Sequence, residues 1–353
     1  MERLGARSLD WIDDAVLMVD QTKLPSVHET LRVSSVADMV AAIKRLSVRG
    51  APAIGVAGAF GVALAVREHP ELGADFDAAV ESLRAARPTA VNLARMVDRV
   101  ARFAPDGFDR VLTEAFDIRD EELAASLRMG ERGADLVEDL AGRSLTAMTI
   151  CNTGGLATVE RGTALAVIQT LHERGALKEA LALETRPLLQ GARLTTWELQ
   201  RMGAPHRLVV DSAGPFLLSR SAADVVLTGA DRVAANGDTA NKIGTFSLAL
   251  GARHAGVPFV VVAPESTIDL DTSSGDDISI EDRGPAEVVA MGEVLTAPPG
   301  TDAANPAFDV TPVDLITALV TDRRVIRFDK GETLSSIPLD PIPTNQRSTE
   351  AHP

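Results

Sequence analysis

The feature that most narrows the fold is a series of short apolar runs after Gly142, at residues 145–150, 180–183, 208–210, 225–227 and 259–263. They are continuous rather than alternating, which is the pattern of strands covered on both faces. Helical patterns lie between most of them, at 156–174, 193–202, 216–221 and 243–253. Strand, helix, strand in this order predicts an α/β fold built on a mainly parallel sheet. Such sheets bind ligands beyond the carboxyl ends of their strands. The residues that follow the runs should therefore share one edge: Cys151-Asn152-Thr153-Gly154-Gly155, Glu184-Thr185-Arg186, Asp211-Ser212, Asp231 and Glu265-Ser266-Thr267.

The densest of these stretches is 225–250, VVLTGADRVAANGDTANKIGTFSLAL. A β-branched strand leads into a polar loop carrying Asp231, Arg232, Asn236, Asp238, Asn241 and Lys242, bent by Gly237 and Gly244. The loop closes on Lys242 at the start of an apolar helix, an arrangement suited to an anionic ligand. A solvated surface connection is the plainer reading. Cys151 also has two readings. Free cysteines often serve as small buried hydrophobes. This one ends a strand before a glycine-rich turn into a helix expected near Leu156, which would favour a reactive thiol with a pKa below about 8.5.

Residues 1–142 read as a mainly helical domain with a small β element at 9–24. Ser34 or Ser35 is a candidate cap for a helix that places Met39, Val40, Ile43 and Leu46 on one face. Arg49-Gly50-Ala51-Pro52 then starts an uncharged, small-residue helix. Gly50 would let backbone approach a ligand, and Arg49 is either an oxyanion ligand or a solvated turn residue. Arg87 precedes Pro88, which stands near the first turn of a helix running to about Phe103. Further helical patterns fall at 108–117 and 121–140. The texture predicts a second, α/β domain over 143–336, a last helix at 313–320 capped by Thr311, and a disordered tail at 337–353.

A net charge of −15 argues against nucleic acid or an anionic membrane as partner. The single cysteine excludes an internal disulfide and points to a reducing compartment, the cytoplasm. The uncharged run at 50–66 holds Pro52 and four glycines, so a closely packed core helix is a better reading than a membrane span. Neither G-x-G-x-x-G after a strand, nor a Walker loop, nor G-x-S-x-G occurs. The six histidines have no metal-ligand spacing, so neither metal nor organic cofactor is expected.

Six motifs stand in register across about residues 9–330: VRGAPAIG (48–55), RPTAVNL (87–93), CNTGGLAT (151–158), ETRPLLQGARLTTWEL (184–199), GADRVAANGDTANKIGT (229–245) and NPAFDVTP (305–312). With these the chain resembles the methylthioribose-1-phosphate isomerases, aldose–ketose isomerases of methionine salvage related to the translation initiation factor 2B regulatory subunits. The resemblance implies a helical N-terminal domain, a Rossmann-like C-terminal domain, a homodimer and a sugar-phosphate substrate. It implies Asp231 as catalytic acid and Cys151 as its partner, with the substrate held by Arg49, Gly50, Ala51, Arg87, Gln190, Asn241 and Lys242. The family usually has histidine just before the cysteine, where this chain has Ile150. An isomerase of another pentose 1-phosphate, such as 5-deoxyribose 1-phosphate or ribose 1,5-bisphosphate, would use the same site. A non-enzymatic regulatory subunit generally lacks the cysteine and aspartate together.

Overall fold

The computed structural model describes residues 4–5, 7–87 and 91–341. The chain opens with an antiparallel meander of β1 (Leu9–Ile12), β2 (Ala15–Val19) and β3 (Thr30–Val33). Asp13 and Asp14 join the first two strands with φ of 48° and 58°, the left-handed pair that a two-residue hairpin turn requires. The third strand, after residue 24, was not expected from the sequence.

Five helices follow: α1 (Val36–Lys44), α2 (Ala51–Glu68), α3 (Ala74–Arg84), α4 (Val91–Ala101) and α5 (Phe108–Ala141). Ser35 caps α1 by accepting the Asp38 amide at 3.1 Å. α2 is long and apolar enough to cross a membrane, but it is the core of this layer. Every residue from Ala53 to Val66 is buried, and α1, α3, α4 and α5 all pack on it. The patterns at 108–117 and 121–140 prove to be one helix. No glycine or proline interrupts the chain between Phe108 and Met129, so nothing stops the first turn sequence from running into the second. Pro88, read as a helix-start residue, lies outside the described residues.

The second layer system contains β4 (Leu145–Thr149), α6 (Ala164–Glu173), β5 (Leu177–Leu183), α7 (Thr196–Arg201), β6 (His206–Val209), α8 (Ala213–Ser219) and β7 (Val225–Thr228). It continues through β8 (Arg232–Ala234), β9 (Thr239–Lys242), α9 (Thr245–Ala255), β10 (Phe259–Val262), β11 (Ile268–Asp269), α10 (Ala286–Val289), β12 (Ala290–Met291) and β13 (Val294–Leu295). The last strands are β14 (Phe308–Thr311), β15 (Ala318–Val320) and β16 (Val325–Ile326). A seven-stranded sheet runs β16-β15-β10-β7-β4-β5-β6, parallel except at the β15–β16 pair. The α/β fold with a mainly parallel sheet is therefore the one the apolar runs predict.

Their continuity has a simple cause. Val225, Leu227, Val260 and Val262 face a core shared with α5 and α6. Val226, Phe259 and Val261 face the opposite core, which includes α8 and α9 residues. Both faces of every central strand are covered, so alternation disappears.

Three other expectations are corrected. Residues 313–320 form a single 3₁₀ turn at Val313–Leu315 and then β15, not a helix. Short apolar runs do not distinguish the two by period. The polar loop after β7 is largely a hairpin, β8 and β9, belonging to a second sheet ordered β11-β8-β9-β14. Lys242 consequently ends a strand, and α9 starts at Thr245. Finally, residues 154–163 are turns, and α6 begins only at Ala164 rather than near Leu156. Of the segment 337–353, residues 337–341 are described: the Ile337 carbonyl accepts from Arg324 Nη1 at 2.5 Å and the Asp340 carbonyl from Arg323 Nε at 3.0 Å. The remainder of that expected tail lies outside the described residues.

Candidate active site

Strand order places the site. The chain builds β5 and β6 on one side of β4, then returns to lay β7 on the other side. This reversal opens a crevice between the carboxyl ends of β4 and β7, the usual ligand position in open α/β sheets. Thr149 and Leu227 pair across it. Cys151 leaves one strand and Asp231 the other. Gly229 keeps the two loops close, since a side chain there would meet Thr153 Cγ2 at 2.9 Å.

Cys151 is held in an uncommon conformation, φ 67°. Its amide donates to Thr185 Oγ1 at 2.9 Å, and its carbonyl accepts from Thr195 Oγ1 at 2.6 Å. Thr185 is itself fixed, because Asp211 accepts its amide at 2.7 Å and that of Arg186 at 2.6 Å. Behind the cysteine, buried Glu198 accepts Asn152 Nδ2 at 2.6 Å and the Leu156 amide at 3.1 Å. Enclosure pushes that carboxyl up to about 7. Sequence reading missed Glu198, Thr185 and Thr195 as supports of the cysteine, although all three stand in the 184–199 motif.

The first layer reaches the same crevice through Arg49 and Arg87. Gly50 sits at φ 87°, and a Cβ there would lie 2.2 Å from the Ala157 carbonyl oxygen. Only glycine permits both the turn and the contact. Ala51 opens α2, its carbonyl accepting Asn92 Nδ2 from α4 at 2.8 Å. The Gln190 amide oxygen, turned to Arg49, accepts Nη2 at 3.1 Å, and its nitrogen then donates to the Thr185 carbonyl at 3.2 Å. Lys242 is buried, with Nζ on the Ala307 carbonyl at 2.7 Å and 4.5 Å from the Phe308 ring centroid. Asn241 is also buried and donates to Thr245 Oγ1 at 3.0 Å. Thr245 Oγ1 in turn donates to the Lys242 carbonyl at 2.6 Å, which ties Asn241 to the turn that leads into α9.

The electrostatics follow from dehydration. Arg49 is pushed down to about 10 by burial, against the pull of a Cys151 thiolate. Lys242 and Arg87 are lowered for the same first reason. Asp231 is itself exposed, yet protein surrounds the crevice it stands in. That partial dehydration raises its carboxyl above the ordinary range, opposed by Lys242, Arg87 and Arg283. Cys151 departs from the expectation. Burial pushes its thiol up, Asp231 adds to the rise, and Lys242 and Arg49 only partly offset it. The helix whose N-terminus was to acidify it begins too far along the chain. Arg283, absent from every motif, acts on Asp231, Arg49, Arg87 and Lys242 alike. Glu265, expected at this edge, is instead ion-paired with Arg324. Among the described residues no group of three or more His, Cys, Asp or Glu is placed to hold a metal ion.

A thiol and a carboxyl, both shifted toward their neutral forms and ringed by poorly neutralised cations, define an α/β protein built to take a small anion at a topological switch point. The chain belongs to the initiation factor 2 subunit family, whose model matches residues 47–327. It is 45% identical over 343 residues to a methylthioribose-1-phosphate isomerase of Heliobacterium modesticaldum, covering 94% of this chain and 98% of that one. It is 51% identical over 331 residues to a probable bifunctional methylthioribose-1-phosphate isomerase/methylthioribulose-1-phosphate dehydratase of Nocardia farcinica. That match covers 92% of this chain but spans only 60% of the longer relative. Among solved structures, 5-methylthioribose 1-phosphate isomerase from Pyrococcus horikoshii OT3 superposes with a TM-score of 0.85 at 41% identity, covering 91% of this chain and 92% of that one.

Proposed function

We propose that the protein converts 5-methylthio-D-ribose 1-phosphate to 5-methylthio-D-ribulose 1-phosphate, the aldose–ketose isomerisation of methionine salvage. The observation that carries this reading is the placement of Cys151 and Asp231 on opposite sides of one switch-point crevice, among arginines and a lysine. Residues 143–336 supply the reacting groups, and residues 1–142 supply Arg49 and Arg87. Arg49, Arg87 and Lys242 receive the phosphate, with Gln190 orienting Arg49. Gly50 and Ala51 bring backbone to the ligand, and Asn241 holds the end of β9.

The substrate dictates what the two reacting groups must do. Its anomeric oxygen carries the phosphate, so the furanose has no free aldehyde and opens only if the ring oxygen is protonated. Asp231 supplies that proton, which suits a carboxyl kept protonated above the ordinary range. The hydrogen on C2 then moves to C1, and the proton on the C2 hydroxyl is released as that carbon becomes the ketone. Carbon 1 is reduced and carbon 2 oxidised, so no external redox partner is needed. Cys151 serves as base if the hydrogen passes as a proton through an enediol-like state. It shapes a dry, polarisable wall if the hydrogen passes as hydride. The apolar Ile150 beside it is fully buried, which favours dryness at that point.

A turnover assay over 5-methylthioribose, 5-deoxyribose and ribose 1-phosphates and ribose 1,5-bisphosphate tests the reading. The methylthio sugar should give the highest kcat/KM. Preference for another pentose by tenfold or more would reassign the substrate within the same chemistry. No turnover of any would favour the regulatory, non-enzymatic members of the superfamily.

The protein acts as a homodimer in the cytoplasm, where its unpaired Cys151 stays reduced. Support for the dimer comes from an apolar surface at the free edge of β6. Leu208 (53% exposed) and Val210 stand at that edge, and Phe216 (63% exposed) stands on α8, which packs on α9, where Phe246 and Leu250 are exposed. A two-fold pairing would cover such a patch with its own copy. Light scattering at low micromolar concentration should return about twice the 37.2 kDa chain mass. Phe216→Glu should shift the particle to the monomer mass, whereas a wild-type monomer would remove the dimer from the reading.

A further inference from the structure

Arg283 stands in the segment between β11 and β14, which the sequence offers only as a charged loop. Its backbone location is well fixed. The Arg283 amide donates to the Asn305 carbonyl at 3.0 Å, Asp282 forms an antiparallel bridge with Pro306, and the Ala307 amide donates to the Glu281 carbonyl at 2.8 Å. The Ala307 carbonyl in turn receives Lys242 Nζ. Residues 281–283 therefore lie one strand away from a cation of the crevice. The far end of the segment is tied across the site, where Arg186 Nη2 donates to the Val288 carbonyl at 2.9 Å.

The Arg283 side chain is only 17% exposed, yet its guanidinium makes no hydrogen bond among the described residues. Its partners are Glu281 Oε2 at 3.7 Å and Glu287 Oε1 at 3.5 Å. Both are too long for hydrogen bonds, and Glu287 Oε2 is engaged by Asn305 Nδ2 at 3.2 Å. A largely enclosed guanidinium normally satisfies its fork of donors. Among the described residues the Arg87 guanidinium likewise shows no hydrogen bond, and that of Arg49 has only Gln190. Four cations thus crowd one crevice in a chain of net charge −15, and they repel one another. Such a cluster leaves cationic donors free for an anion of more than one charge.

We propose that Arg283 is a substrate-contacting residue. Its guanidinium rests against Glu281 and Glu287, and the phosphate dianion draws it away from them to complete the cationic clamp. The inference rests on the phosphorylated-ligand reading of this site. It does not depend on which pentose the ligand carries.

The test uses the full-length protein and inorganic phosphate as a competitive inhibitor of the methylthio sugar phosphate. Arg283→Gln should raise both KM and the phosphate inhibition constant by about tenfold or more, the scale of a lost charge-assisted bond. Its kcat should change less than its KM. Arg283→Lys should recover part of the loss. Glu287→Gln should tighten phosphate binding a few-fold, because the competing carboxylate is gone. A merely structural arginine predicts the reverse pattern: lower Tm, unchanged phosphate inhibition in the Gln variant, and no gain in Glu287→Gln. Those results would overturn the proposal even if Arg283→Gln folds poorly, since Glu287→Gln reports independently. Wild-type protein that neither turns over the sugar nor binds phosphate would overturn the site reading itself. Normal wild-type behaviour with no change in either variant would overturn only the role of Arg283.

Discussion

Asp231→Asn is expected to lower kcat by at least ~10²-fold, the usual scale for loss of a positioned general acid. KM should change by much less, because Arg49, Arg87 and Lys242 keep their places. Asparagine matches aspartate in shape and can still accept and donate hydrogen bonds, but it cannot deliver a proton to the ring oxygen. The pH profile separates this from a structural effect. Asp231 is pushed up by dehydration of its crevice, so its acid form persists to higher pH than that of an ordinary carboxyl. An acid with a raised pKa acts below that pKa and is lost as pH rises through it. The wild-type kcat/KM should therefore fall on the alkaline side, and the variant should lose that limb together with its rate. The profile also carries Cys151, whose thiol Asp231 raises. Stability supplies the control. Asparagine relieves a carboxylate of a partly dehydrated site, so Tm should not drop. An Asn variant with near-normal kcat would remove Asp231 from the mechanism.

Much of this site is legible in the sequence, for reasons that can be named. Strand ends are readable because four of the five continuous apolar runs report burial on two faces, the run at β6 being an exposed edge, and a parallel sheet then puts Cys151, Thr185, Asp211 and Asp231 on one edge. Arg49 and Gly50 are readable because a positive φ beside a tight backbone contact admits only glycine. What the sequence conceals is tertiary. β9 is spelled Thr-Ala-Asn-Lys, which has the composition of a loop. It is a strand because β8 and β14 pair with it and because Asn241 and Lys242 find buried acceptors in Thr245 and Ala307. Glu198 looks like a solvated helix residue until Asn152 and the Leu156 amide close on it. Arg283 has no local signal at all. Its place depends on a bridge to Pro306, across a connection whose length the sequence leaves free.

The helix near Leu156 is the costliest misreading, because it supported a claim about chemistry. Glycines at 154 and 155 suggest a turn into a helix. They serve instead to let the chain pass Glu198 and Glu160, where Cβ atoms would approach oxygens at 2.4 and 1.8 Å. The amides that were to stabilise a Cys151 thiolate by a helix dipole are spent differently, that of Leu156 on Glu198. The thiol is left to burial, to side-chain charges and to the Asn152 amide.

That correction changes what Cys151 should do in solution. Its thiol is held above the usual cysteine range by burial first and by Asp231 next, while Lys242 and Arg49 pull it down. A raised thiol pKa leaves little thiolate at neutral pH, so iodoacetamide should react slowly at pH 7 and faster as pH rises, with a midpoint above about 8.5. Asp231→Asn removes one of the two raising influences, so the midpoint should move down and alkylation at a given pH should quicken. Saturating inorganic phosphate should slow the reaction twice over, by covering the crevice and by neutralising the cations that favour thiolate. Cys151 is the only thiol in the chain, which makes incorporated label a direct count. Full alkylation should abolish turnover, and Cys151→Ala should cost about 10²–10⁴-fold in kcat. Cys151→Ser should not rescue it, because an alcohol there is far less acidic than the thiol. A midpoint below the free-cysteine value would restore the acidified thiol that the sequence suggested. An alkylated protein that still turns over would reduce Cys151 to a packing residue and leave Asp231 to work alone.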